Sequence, residues 1–116
     1  MRLDRLTNKT REALVAAQQN AADRSNPEVY PEHLLLELLG QSDGLAPAIL
    51  KKAGADIQGL IRALGAMLDR MPKVAGGAEP GLARRLRDLL TQAWKETEAL
   101  KDEYTSAEHV LLAAYE

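Results

Sequence analysis

Pro31-Glu32-His33-Leu34-Leu35-Leu36 and Ala107-Glu108-His109-Val110-Leu111-Leu112 are one phrase written twice, 76 positions apart (31 to 107). The same offset, without a gap, lays Leu6 on Leu82, Arg11 on Arg87, Leu14 on Leu90 and Ala17 on Ala93. Self-similarity at a fixed period marks a repeated supersecondary unit that buries its apolar face against its neighbour. Each copy reads as a long amphipathic helix, a short loop, a Glu-His pair and an apolar helix. The expected fold is all-α, with two pseudo-twofold-related helical repeats and the two apolar helices near the centre. The second copy has no counterpart of residues 40–71, so the second repeat is expected to be truncated at the C-terminus and the natural protein to continue beyond it. The chain reads as a single domain over residues 1–116: repeat one over 1–71, a loop over 72–79 and a partial repeat two over 80–116.

Working outward from the repeated phrase, Leu6, Ala13, Leu14, Ala17 and Ala21 share a helical stripe. Thr7 can cap that helix, and Asn26-Pro27 stops it. Pro31 opens the apolar helix, where its missing N–H costs nothing, and Gly40 closes it. A short helix follows over 45–53. Asp56 caps the next one, whose Ile57, Leu60, Ile61, Leu64, Met67, Leu68 and Met71 repeat every three or four residues until Pro72. Pro72 to Glu79 reads as a flexible Gly-rich loop. A long helix is expected from about Pro80 to Leu100, with Leu82, Leu86, Leu89, Leu90, Ala93, Thr97 and Leu100 inward. Thr105-Ser106-Ala107-Glu108 matches the S/T-x-x-E capping box that opens a helix.

Composition narrows the classes. Hydrophobic residues make up 46% and charged residues 28%, which argues for a globular chain and against disorder. There is no cysteine, so disulfides and thiolate metal sites are excluded, and a reducing compartment is compatible. A net charge of −2 gives no electrostatic case for nucleic acid or an anionic membrane. No stretch approaches the ~20 apolar residues that span a bilayer, and the acid-containing start Met1–Leu6 does not read as a signal peptide. The chain has no G-x-x-x-x-G-K-[ST] loop to cradle nucleotide phosphates, so no enzymatic role is expected of this domain.

The doubled Glu-His-x-Leu-Leu motif resembles the Clp N-terminal (repeat) domain of the AAA+ chaperones ClpA, ClpB and ClpC. The opening Arg2-Leu3-Asp4-Arg5-Leu6-Thr7-Asn8-Lys9 and the junction Leu68-Asp69-Arg70-Met71-Pro72-Lys73-Val74 look like the bacterial ClpB disaggregase branch. The resemblance covers the whole chain. It implies a cytoplasmic module without a cofactor of its own, tethered to a hexameric AAA+ ring that hydrolyses ATP elsewhere. It implies handling of unfolded or aggregated polypeptide clients, with a DnaK-type co-chaperone system acting on the parent protein.

The resemblance also carries residues. Thr7, Asp102 and Glu108 match family positions tied to substrate handling. In the ClpC branch, Thr and Glu positions of each repeat form phosphoarginine pockets. Here Glu32 and Glu108 keep both carboxylates, but Thr7 is paired across the repeat with Ala83, so the hydroxyl is kept in one repeat only. Thr10 stands where ClpB sequences often carry an aromatic residue, which implies a shallower apolar patch.

Each of these residues has a plain structural role beside the functional one. Glu108 reads as the N3 acid of the capping box, Thr7 as an N-cap, Asp102 as part of a solvated turn, and Glu32 as a carboxylate favoured by the helix dipole. His33 and Glu37 share an i,i+4 face but find no third metal ligand, so no metal is expected. Arg84-Arg85-Leu86-Arg87 reads as a solvated basic face, or as the contact surface of a small helical transcription regulator. An adaptor- or phosphoarginine-docking module of ClpC or ClpA type is the nearer alternative to the ClpB-type client-binding role.

Overall fold

The computed structural model describes residues 1–76 and 79–115; residues 77 and 78 of the expected loop, and residue 116, lie outside the described residues. After a 3-10 turn over Leu3–Arg5 come α1 (Asn8–Asp23), β1 (Glu28–Val29), α2 (Pro31–Gly40), α3 (Leu45–Lys52), α4 (Ile57–Asp69), β2 (Gly81–Leu82), α5 (Arg84–Ala99) and α6 (Ala107–Tyr115). The fold is the all-α repeat expected. α1 packs on α2 and α5 packs on α6, while α4 also packs on α2 and α3 lies against α6.

Why these segments become helices is visible in what they bury. α1 presents Ala13, Ala17 and Ala21, all almost without exposure, at i, i+4 spacing. Small residues in a line let two helices approach closely. Leu34 and Leu38 of α2 and Val110 of α6 are fully enclosed at the centre, with Leu86 and Leu90 of α5 beside them. Burying such a Leu contributes roughly 1.5–3 kcal/mol. α4 is the most plainly amphipathic sequence, yet only Leu68 is fully buried. Ile57, Ile61 and Leu64 are half-buried against the core, as befits an outer layer.

The pseudo-twofold is closed by a backbone exchange that helical periodicity did not show. Val29 pairs with Leu82 in parallel, and Leu6 forms the equivalent bridge with Thr105. The Ala83 N–H donates to the Val29 carbonyl at 3.0 Å, and the Thr7 N–H to the Thr105 carbonyl at 2.9 Å. Adding 76 to Leu6 and to Val29 turns one pair into the other. The segment before each long helix thus pairs with the segment before the buried helix of the other repeat. Leu6 and Leu82 therefore lie in extended backbone and not on the helical stripes assigned to them. α5 accordingly begins at Arg84, four residues later than the pattern suggested.

Helix ends hold further departures from expectation. Leu100 is the α5 C-cap and is half-exposed, not inward. Lys101 and Ser25, each one residue past a C-cap, adopt φ 60°, the left-handed conformation that usually calls for glycine. Both close Schellman motifs: Asn26 N–H to Ala21 O at 2.9 Å and Asp102 N–H to Thr97 O at 3.0 Å. α6 is capped by Ser106, not Thr105, so the expected Thr105/Glu108 capping box is absent. His109 is the N3 residue, and its Nδ1 accepts the Ser106 N–H at 2.9 Å.

The segment after Pro72 is stitched to the turn that ends α1. The Pro72 carbonyl accepts from Asn26 Nδ2, Lys73 Nζ donates to the Arg24 carbonyl, and the Val74 N–H donates to the Ser25 carbonyl. On the far side of the segment, the Pro80 carbonyl accepts from Gln18 Nε2 at 3.0 Å. The N-terminal turn straps the other repeat in the corresponding way: Arg2 lies over the half-buried Trp94 ring and Arg5 over Tyr104, each at 5.5 Å.

Candidate functional site

The two histidines of the repeated phrase organise the starts of α2 and α6. Each sits at N3 and uses Nδ1 to accept the N-cap backbone N–H, from Tyr30 at 2.8 Å and from Ser106 at 2.9 Å. Nδ1 is therefore unprotonated, and Nε2–H is the donor. His33 gives it to Asn26 Oδ1 at 2.9 Å, and His109 gives it to Asp102 Oδ2 at 2.7 Å. Asn26 and Asp102 are brought there by the Schellman turns just described. Asp102 is thus no plain solvated turn residue: it orients the second histidine while its carboxylate stays half-exposed. Burial, reinforced by the nearby Arg24 guanidinium, pushes the His33 imidazole down from 6.5 to about 4.

Thr7 is the N-cap of α1, as expected. Its Oγ1 accepts the Thr10 N–H at 3.3 Å and shares a hydrogen bond with Thr10 Oγ1 at 2.8 Å. Thr10 is buried, so its hydroxyl completes a polar pair inside the fold and forms no surface patch. Because Thr7 N–H binds the Thr105 carbonyl, the start of α1 lies against the start of α6. The cleft there, about 270 Å³, is lined by Thr7, Lys9, Gln41, Asp43, Leu45 and Ser106 among others. Glu108, the N2 residue of α6, is exposed and makes no ion pair among the described residues. Three of the four expected residues, Thr7, Asp102 and Glu108, therefore gather at the α6 start.

Glu32 is elsewhere, at the α2 start, and is almost fully buried. Arg85 of α5 grips it through two nitrogens, at 2.8 and 3.4 Å. The counterpart of Arg85 in repeat one is Lys9, which instead binds Asp43 at 3.0 Å. Arg84 and Arg87 of the basic face are exposed. Glu37 accepts from Asn20 at 3.0 Å, and no cluster of three or more His, Cys, Asp or Glu suited to a metal exists among the described residues.

Polar character is unequal between the halves. Around the α6 start stand Thr7, Thr10, Thr97 and Thr105; the 76-offset mates are Ala83, Leu86, Ala21 and Val29. Thr97 Oγ1 and Thr105 Oγ1 share a buried bond at 2.7 Å, and Thr97 also binds the Ala93 carbonyl. The pattern was present in the sequence as a set of Thr-for-aliphatic exchanges at one offset. Its meaning needed the backbone exchange that brings residues 5–10 and 97–109 together.

An all-α domain of two pseudo-twofold repeats, with two Glu-His helix starts held by Schellman turns, is the class that fold and site define. The chain matches the Clp repeat (R) N-terminal domain over residues 5–116 and belongs to that family. It is similar to chaperone protein ClpB of Bacillus cereus, at 44% identity over 117 residues, covering 97% of this chain and 14% of that protein. The chain thus spans about a seventh of the curated relatives it matches. The N-terminal domain of a ClpV ATPase from E. coli superposes with a TM-score of 0.89 at 32% identity, over 96% of this chain and 68% of that one. A ClpV N-domain solved in complex with a VipB peptide superposes with a TM-score of 0.84 at 25% identity, over 96% and 68% of the two chains. No helix among the described residues is long and apolar enough to cross a membrane.

Proposed function

We propose that this chain is the polypeptide-binding, regulatory N-terminal domain of a ClpB-type ATP-dependent disaggregase. Its candidate client-binding edge is the α6 start, with Thr7, Asp102 and Glu108. The supporting observation is the polar chemistry concentrated there: an exposed Glu108 carboxylate, a half-exposed Asp102 with one oxygen on His109, and two helix N-termini bordering one cleft. Backbone amides and basic side chains of an unfolded client meet acceptors at Glu108 and Asp102. Unpaired client carbonyls meet the first-turn N–H groups of α1 and α6. Such contacts ignore sequence, which suits clients that share only exposed backbone and apolar side chains. Weak binding is sufficient when six tethered copies on a hexameric AAA+ ring raise the effective concentration. ATP hydrolysis, the cytoplasmic setting and cooperation with a DnaK-type system belong to this reading of the parent protein.

The phosphoarginine- or adaptor-docking alternative of ClpC type asks for a hydroxyl at each helix start. Ala83, the α5 N-cap, supplies none. The experiment is NMR shift mapping with reduced casein on wild type, Thr7→Ala and Glu108→Gln, each first shown to fold. Shifts clustered on residues 7–10 and 102–109 that weaken in Glu108→Gln support the reading. Shifts elsewhere, or none, overturn it.

A further inference from the structure

The start of α6 carries more chemistry than a helix cap uses. Ser106 Oγ lies 3.1 Å from His109 Nδ1, and His109 Nε2 lies 2.7 Å from Asp102 Oδ2. Nδ1 accepts the Ser106 N–H, so it is unprotonated, and the hydrogen between it and Oγ is the hydroxyl's own. Nε2–H points at the carboxylate. A hydroxyl, an imidazole whose lone pair faces that hydroxyl and a carboxylate behind the ring form the relay that turns serine into a nucleophile. The His109 ring is buried and held at both nitrogens, so it is already in place beside the hydroxyl.

Repeat one shows that capping alone does not ask for this set. His33 caps α2 in the same way, with Nδ1 on the Tyr30 N–H, but its Nε2 meets the Asn26 amide, which carries no charge. Tyr30, in the place of Ser106, has its hydroxyl at the far end of a ring that stacks on His33 with centroids 5.5 Å apart. The serine and the carboxylate are therefore an addition of repeat two. Ser106 is half-buried and opens on the cleft of about 270 Å³ between the α1 and α6 starts, where half-exposed Leu45 offers an apolar wall. A space of that size takes a small acyl group. The Ala107 and Glu108 N–H groups belong to the first turn of α6, which has no intrahelical acceptor for them. They follow Ser106 directly and are the donors available to an oxyanion formed there.

We propose that Ser106 is a covalent modification site: a serine activated through His109 and Asp102 that accepts a small acyl group from an activated carboxylic ester. Oγ attacks the ester carbonyl carbon while its proton passes to His109 Nδ1. Asp102 positions the ring and offsets the charge it then carries. The tetrahedral intermediate collapses by breaking the bond to the leaving oxygen, which takes the proton from Nδ1. The products are acyl-Ser106 and the free alcohol, and nothing is oxidised or reduced. The domain is the acceptor in this step and not a turnover catalyst.

The test uses p-nitrophenyl acetate as the probe, on the whole chain at neutral pH. Release of p-nitrophenolate gives the rate, and intact mass with peptide mapping gives the place. The expected result is a single acetyl group on Ser106, absent in Ser106→Ala, which keeps the backbone N–H that His109 accepts. His109→Gln should slow labelling of Ser106 by roughly a hundredfold, the low end of what a positioned general base supplies. Asp102→Asn, at a half-exposed side chain, should slow it about tenfold with an unchanged melting curve, and it keeps the test available if His109→Gln folds poorly. Acetyl groups confined to lysines or the Met1 amine overturn the proposal. So does Ser106 labelling at the same rate in wild type, Asp102→Asn and His109→Gln, since that is a plain exposed hydroxyl. No client is present in the assay, so its outcome is independent of the polypeptide-binding reading.

Discussion

His33 should make this domain sensitive to mild acid. Its ring is fully buried, with Nδ1 spent on the Tyr30 N–H and Nε2–H on Asn26. Protonation would put the ring's second N–H on Nδ1, abolish the N-cap acceptor and place a charge beside Arg24. The folded ring therefore titrates near 4 against 6.5 for the free side chain. Because the folded value is depressed, the unfolded chain binds the proton first. Stability is complete above about pH 7.5 and falls as pH drops through 6.5 toward 4. The full shift is worth roughly 3 kcal/mol, and about 2 kcal/mol should already be gone at pH 5. Urea unfolding at pH 7.5, 6 and 5 measures this, with His33→Gln as the control. Glutamine at N3 can still accept the Tyr30 N–H but does not titrate. Wild type should lose about 2 kcal/mol more than His33→Gln over that window. Equal losses in the two proteins, or a His33 ring that titrates in NMR near 6.5, would falsify the reasoning.

Glu108→Gln should leave the unfolding free energy within about 0.5 kcal/mol of wild type, since Glu108 is exposed and caps nothing, while Ser106→Ala/His109→Ala, which removes the N-cap and its N3 acceptor, should cost at least ~1 kcal/mol in the same urea titration. Thr97→Ala alone leaves the Thr105 hydroxyl buried without its partner and should cost about 1–3 kcal/mol. Thr97→Ala/Thr105→Val, which transplants the Ala21/Val29 pair of repeat one, should recover most of that in thermal melts. Ser25→Gly and Lys101→Gly should each stabilise by about 0.5–1 kcal/mol by relieving a left-handed backbone, and a loss of stability in either would show that its side chain contributes more than its φ costs.

The sequence alone determined much of this protein. The 76-residue offset, the helical stripes, the proline and glycine stops, and Thr7 and Asp56 as N-caps were legible because each depends on residues within one or two turns of one another. So was the apolar character of α2, whose leucines leave it no stable place but the centre. What only the tertiary structure decided are relations between distant segments. The pairing of Leu6 with Thr105 and Val29 with Leu82 is a backbone event, and no side-chain period records it; it moved the α5 start and the α6 cap from where local patterns placed them. The partners of the two histidines are likewise a tertiary matter, because Schellman turns bring Asn26 and Asp102 within hydrogen-bond reach. Glu32 and Glu108 read alike in their shared motif, yet one is buried under an arginine and the other open. Charge partners are chosen by which side chains the folded chain brings within about 3 Å, and here Asp43 holds Lys9 while Glu32 holds Arg85.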